Sequence, residues 1–179
     1  QYTIAKNIES SGIVKHLSLE VYRNGFALVM EDFGGISLAE YITTDAWNLK
    51  DKITTTLEKF FQIAIKICSC LEAIYNSKVI HKDIKPSNII INSQSGIIKL
   101  TDFGIASRLN KENPLFNNPN AVEGTLAYMS PEQTGRMNRA IDYRTDFYSL
   151  GVTFYEMLCG ELPFNAIDPM ELVHCHIAK

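Results

Sequence analysis

Cysteine is scarce: the 179 residues hold only Cys68, Cys70, Cys159 and Cys175. Their spacing fits neither a zinc site nor a Cys-x-x-Cys redox pair, so reduced, partly packed thiols are expected. Cys68 and Cys70, two apart in a helical stretch, belong to different faces. His174 and His176 bracket Cys175, but an i, i+2 pair on a helix does not converge on one ion, and both are expected on the surface of a terminal helix. Charge of one sign is also lacking. A net charge of −3 offers no electrostatic basis for a nucleic-acid partner or an anionic membrane. No apolar run approaches the ~20 residues of a membrane helix, so no membrane insertion is expected. The opening Gln1-Tyr2-Thr3-Ile4-Ala5-Lys6 has no initiator Met and no signal-peptide pattern. Residues upstream and a cytoplasmic location are the corresponding expectations. No internal repeat is present.

What is there is an ordinary globular mixture, 46% hydrophobic and 21% charged, enough for one core and two small lobes. Two β-rich runs, Ile13–Tyr22 and Phe26–Glu31, flank Asn24-Gly25, which predicts a hairpin with a type I′ turn. Asp32-Phe33-Gly34-Gly35 marks a change of architecture and the boundary between lobes. A short helix is expected over Ser37–Ile42. A long one is expected over Thr56–Asn76, where Leu57, Phe60, Phe61, Ala64, Ile67, Cys68, Leu71, Ile74 and Tyr75 recur at three and four residues. Thr55 and Glu58 have capping-box spacing at its start. A second hairpin joins Asn88–Asn92 to Ile97–Thr101 across Ser93-Gln94-Ser95-Gly96. Asparagine and proline crowd residues 105–124, predicting a long irregular loop, and a loop of that length in a compact domain is a functional candidate. A helix over Thr145–Cys159 places Phe147, Leu150, Phe154, Met157 and Leu158 on one side and stops at Gly160. A last short helix covers Pro169–Ile177.

The chemistry concentrates in His81-Lys82-Asp83-Ile84-Lys85-Pro86-Ser87-Asn88, between the long helix and the second hairpin, and in Asp102-Phe103-Gly104 just past that hairpin. Two carboxylates, an ammonium and an amide stand at the ends of rigid elements. Phosphoryl transfer asks mainly for positioning and neutralisation of charged oxygens, which such a set can supply. Asp102 and Asn88 offer the hard oxygen ligands that suit Mg²⁺. Asp83 can orient a hydroxyl and accept its proton, and Lys85 can set a point charge beside a moving phosphate. Alone, Asp83 would read as a cap and Asp102-Phe103-Gly104 as a turn; together they do not.

His81–Asn88 resembles the catalytic loop of protein kinases, and Asp102-Phe103-Gly104 resembles their metal-binding DFG motif. Ser130-Pro131-Glu132 is similar to the APE motif, Gly124-Thr125 to the segment that receives the substrate residue, and Asp146 to the aspartate that supports the catalytic loop. These motifs occur in the family's order across almost the whole chain. The resemblance implies an α+β, protein-kinase-like fold, incomplete: the end of a small β-rich lobe over 1–33 and a mainly helical large lobe over 34–179 lacking its last helices. It implies ATP and Mg²⁺ as cofactors and a protein substrate with a Ser or Thr acceptor. It makes Asp83 the catalytic base, Lys85 a γ-phosphate contact, Asn88 and Asp102 the metal ligands, Met30 the gatekeeper, the backbones of Glu31 and Phe33 the adenine contacts, Ile90 part of the adenine floor, and Thr125 a substrate contact. Lys85 and Thr125 resemble the serine/threonine branch. Residues 123–158 resemble the kinase domains of large bacterial signalling proteins that also carry a sensor histidine kinase, so other domains of a larger parent are expected partners.

The pattern departs from the family in places. No Gly-rich loop and no strand lysine occurs, and Gln1 aligns with the helix-C glutamate. The segment alone is therefore expected to be inactive. Glu132 lacks the arginine that the family pairs with it. Lys82 stands where an arginine often pairs with a phosphorylated loop, and residues 108–124 hold no Ser, Thr or Tyr. Activity independent of phosphorylation in that stretch is expected. Two alternatives stand beside the kinase: a pseudokinase serving as an interaction module, and a small-molecule phosphotransferase.

Overall fold

The structure is a computed structural model that describes residues 2–47, 53–109 and 125–178. Backbone contacts divide the chain into two compact units, Gln1–Ser77 with Pro86–Gly104, and Lys78–Lys85 with Ile105–Lys179.

The first unit opens with a one-turn helix α1 (Tyr2–Lys6) and an antiparallel hairpin of β1 (His16–Tyr22) and β2 (Gly25–Met30). The expected turn lies one residue earlier than predicted. Gly25 is already paired with Tyr22, and the left-handed residue is Arg23, at φ 52°. The register explains the shift: it sets Leu19 opposite Leu28 and Val21 opposite Phe26, and those cross-strand apolar pairs leave Arg23-Asn24 as the loop. Ile13 does not belong to β1 as expected. It forms a lone parallel bridge to Leu100, flanked by Val14 N–H to Leu100 O at 2.9 Å and Leu100 N–H to Gly12 O at 2.9 Å. Gly12 permits this approach, because a Cβ there would stand 2.7 Å from Cys70 Sγ.

Helix α2 (Leu38–Tyr41) has Ser37 as its N-cap, whose hydroxyl accepts the Glu40 N–H at 3.1 Å. Helix α3 (Ile53–Asn76) begins three residues before the expected start. Thr55 is therefore inside it and is not the cap. Its buried stripe is Phe60, Ile63, Ala64, Ile67, Cys70, Leu71 and Ile74, whereas Leu57, Phe61, Cys68 and Tyr75 are exposed. The apolar sequence pattern is wider than the face its neighbours cover. That face lies on β6 (Ile97–Leu100), which pairs with β5 (Ile89–Asn92) in the expected second hairpin. Asn92 Oδ1 accepts the N–H groups of Gln94 and Ser95 at 3.0 Å each, and Gly96 takes φ 67° in the turn. A third strand, β3 (Ile36–Ser37), adds antiparallel to β5; two residues are too few to leave a period in the sequence.

The second unit has a short pair as well, β4 (Val79–Ile80) against β7 (Ser107–Arg108), inside the stretch predicted as loop. The remainder of that predicted loop, residues 110–124, lies outside the described residues. Helix α4 (Arg144–Cys159) ends at Gly160, φ 75°, as expected. Its buried face is half polar, with Thr145, Asp146, Ser149 and Thr153 beside Leu150, Val152 and Met157, while Phe147 and Leu158 are exposed. The apolar side chosen from the sequence was thus only partly the packed one. Helix α5 (Pro169–Ala178) starts from Asp168, whose Oδ1 accepts the N–H groups of Met170 and Glu171 at 2.8 and 2.9 Å. His174 is exposed, but His176 is buried, contrary to expectation. Its Nδ1 lies 2.8 Å from the Tyr148 hydroxyl, and Phe164 packs edge-on to its ring. Aromatic neighbours on both sides make this position core.

Candidate active site

Asp83 and Lys85 belong to the second unit. The loop that carries them is fixed through its backbone. Asp146, 4% exposed on α4, accepts the His81 N–H at Oδ2 (2.8 Å) and the Lys82 N–H at Oδ1 (2.7 Å). Burial pushes the Asp146 carboxyl up, against the pull of His81, Lys82 and those two N–H groups. Gln133 Nε2 donates to the Lys82 carbonyl at 2.8 Å. Gln133 is itself held in a capping box with Ser130 at the start of the turn Pro131–Thr134. Lys82 adopts φ 69°, a strained conformation for a lysine that these bonds over-determine.

The Asp83 carboxylate then meets Lys85 and Thr125. Its Oδ2 lies 2.7 Å from Lys85 Nζ, and its Oδ1 accepts the Thr125 N–H at 3.2 Å and the Thr125 hydroxyl at 3.1 Å. Lys85 Nζ also donates to Thr125 Oγ1 at 2.5 Å. The Lys85 and Asp83 side chains retain 19% and 13% exposure, so the triangle opens to solvent. Chemically it is a carboxylate whose charge is partly balanced by an ammonium and which already accepts from one hydroxyl. Glu132, expected without its arginine, accepts the Thr145 hydroxyl at 2.7 Å instead.

Asn88 and Asp102 belong to the first unit. Asn88 ends the turn Pro86–Asn88 and is buried; Asp102 follows β6 and is exposed. Pairing of Ile89 with Leu100 sets them side by side at one end of the hairpin, and the Thr101 N–H donates to the Asn88 carbonyl at 3.0 Å. Asp102 takes φ 58° and accepts the Gly104 N–H at 3.2 Å. Phe103, fully buried edge-on to His16, anchors the turn. A carboxylate and an amide oxygen are hard donors, of the kind that suits Mg²⁺ taking its remaining ligands from phosphates and water.

The same unit holds Met30, Glu31, Phe33 and Ile90. Met30 closes β2 with its sulfur 4.0 Å from the Thr101 hydroxyl. Glu31 accepts from Lys99 Nζ at 2.5 Å and from the Lys15 N–H at 2.8 Å. Its own N–H donates to the Lys15 carbonyl at 3.0 Å. Ile90 packs against Gly35, where a Cβ would come within 2.6 Å of Ile90 Cγ2. Gln1, which aligns with the helix-C glutamate, and Gly124 lie outside the described residues.

Sequence reasoning missed Gln133 and Lys99. Gln133 was detectable as the third residue after Ser130, the spacing of a capping box. Lys99 was detectable as the one charge in the apolar strand Ile97–Leu100.

The family model for the protein kinase domain matches residues 2–179. A "Probable serine/threonine-protein kinase" of Clostridium perfringens is 35% identical over 99% of this chain and 24% of its own length. A "Probable serine/threonine-protein kinase PknB" of Corynebacterium glutamicum is 32% identical over 97% of this chain and 27% of its own length. The "Serine/threonine-protein kinase PknB" of Mycobacterium tuberculosis is 33% identical over 85% and 23%. The chain thus spans about a quarter of the length of these relatives. With the ordered motifs and the matched family model, this chain belongs to the protein kinase family.

Proposed function

We propose that the protein transfers the γ-phosphoryl group of ATP to serine or threonine side chains of proteins. The observation that carries this reading is the Asp83–Lys85–Thr125 triangle on a loop whose backbone Asp146 and Gln133 hold. Asp83 orients the acceptor hydroxyl and takes its proton. The hydroxyl oxygen bonds to phosphorus as the bond from phosphorus to the ADP oxygen breaks, and Lys85 balances the charge on the phosphoryl oxygens. Thr125 Oγ1, bonded to both residues, marks where an acceptor hydroxyl would bind and favours a small aliphatic alcohol. Asn88 and Asp102 would hold Mg²⁺, which neutralises phosphate charge when bound. Glu31 and Phe33 would meet the adenine edge, Ile90 its face, and Met30 would line the back of that site.

The reading extends to a bacterial signalling protein with further domains, a sensor histidine kinase among them. It also places the protein in the cytoplasm, where ATP is supplied; the four thiols are free, and no described helix is long and apolar enough to cross a membrane. The lobe division 1–33 and 34–179, and activity independent of phosphorylation within 108–124, are parts of the same proposal. The test is phosphoryl transfer from labelled ATP by the whole protein that carries these residues. Label on Ser or Thr of proteins, lost by about 10²–10⁴-fold in Asp83→Asn, is the expected result. Label on small metabolites alone would replace the reading with a small-molecule phosphotransferase, and no transfer at all with an interaction module.

A further inference from the structure

Lys99 is the charged residue of an otherwise apolar strand, and it is 8% exposed. A buried ammonium is costly unless paired. Its Nζ lies 2.5 Å from Glu31 Oε1 and 5.0 Å from the centroid of the Phe33 ring, so one cation holds two residues of the segment 31–33 by an ion pair and a cation–π contact. The segment is tied elsewhere too. Glu31 bonds the Lys15 backbone through both its side chain and its N–H. The Phe33 carbonyl accepts from Asn92 Nδ2 at 2.7 Å. Burial opposes ionisation of Glu31, yet the bonds from Lys99 and Lys15 outweigh it and hold the carboxyl below its ordinary range.

These ties engage the Glu31 N–H and the Phe33 carbonyl. Among the described residues, the Glu31 carbonyl and the Phe33 N–H remain as an acceptor followed by a donor. An adenine edge offers the complement, an amino donor beside a ring-nitrogen acceptor, whereas guanine offers the reverse order. A rigid acceptor–donor pair rejects the wrong order because its groups would be left unpaired; a loose one can turn away and tolerate it. We propose that Lys99 is a positioning residue: with Glu31 it clamps the backbone of residues 31–33 and thereby sets the preference for adenine over guanine nucleotides. The proposal rests on the nucleotide-binding reading above.

The test measures binding of ATP and of GTP, each with Mg²⁺, to the whole protein by titration calorimetry. The wild type is expected to prefer ATP. Lys99→Met should lower ATP affinity about tenfold and leave GTP affinity within about twofold, so that the preference collapses. Lys99→Arg, which keeps the cation, should retain it, and Lys99→Gln, which keeps a donor to Glu31 without the charge, should lose most of it. These two conservative variants decide the question if Lys99→Met fails to fold. Equal losses for both nucleotides, or no loss for either, would overturn the clamp. A wild type that binds neither nucleotide would instead overturn the nucleotide reading itself.

Discussion

Asp146 and His176 show how much a single buried polar group decides. Asp146 supplies one carboxylate oxygen to each of two consecutive backbone N–H groups. An amide in its place would turn an NH₂ toward one of them, donor against donor. Asp146→Asn is expected to cost about 2–3 kcal/mol of stability and to reduce transfer further in the fraction that remains folded. Urea unfolding and activity measured on the same samples check both parts. His176 contributes through pH. Burial lowers its affinity for a proton, against an opposing hydrogen bond to the Leu126 backbone, and burial lowers that of His16 as well. Below pH 6.5, the ordinary His value, the unfolded chain takes up protons that the folded chain refuses, so stability falls with falling pH through that range. Thermal melts at pH 7.5 and 5.5 should show the drop, and His176→Gln should make it smaller. A pH-independent melt would contradict the assigned burial.

Among the elements, α3 gives the clearest contrast. Ile67 is fully buried on the face that meets the first unit's core, while Phe61 is 58% exposed. Ile67→Ala should cost about 2–5 kcal/mol and Phe61→Ala less than about 0.5 kcal/mol, read from denaturation midpoints. The period of three and four made the helix legible, but both residues fit that period equally well. Only the neighbours decide which edge of an apolar stripe is covered. The hairpin of β5 and β6 was legible, its outer strand ends one residue shorter than expected, because Asn92 and Gly96 carry the turn chemistry locally. The turn before β2 was not, because the strand register that sets Leu19 opposite Leu28 and Val21 opposite Phe26 leaves Arg23-Asn24 as the loop. Strands β3, β4 and β7 have two residues each, too short for any periodic signal.

For the chain as a whole, stability is uneven. β1 and β2 form a two-stranded sheet with Leu17, Leu19, Val21, Tyr22, Phe26 and Val29 exposed. Such a sheet is marginal by itself, whereas β6 lies under α3 and pairs with β5, with Ile89 and Leu100 fully buried. Amide exchange should therefore be fastest by orders of magnitude in residues 16–30 and slowest in α3, β5 and β6. Uniform protection would show that something covers the hairpin. The exposed strands also make the 179-residue chain prone to association, which added charge on β1 should relieve.

The sequence by itself determined the family and supplied the residues on which the proposed chemistry rests. Asp83, Lys85, Asn88 and Asp102 were identified as residue types at fixed spacings, and local rules placed them at the ends of a helix and a hairpin. Their contacts were decided by tertiary structure. The Asp83–Thr125 bond spans 42 residues and the Asp146–His81 bond 65, and no local pattern encodes such pairings. The same holds for Lys99 beneath Glu31, 68 residues away. Turn chemistry and helical period act over a few residues and can be read directly, whereas a buried charge finds its partner only when the fold has removed it from water.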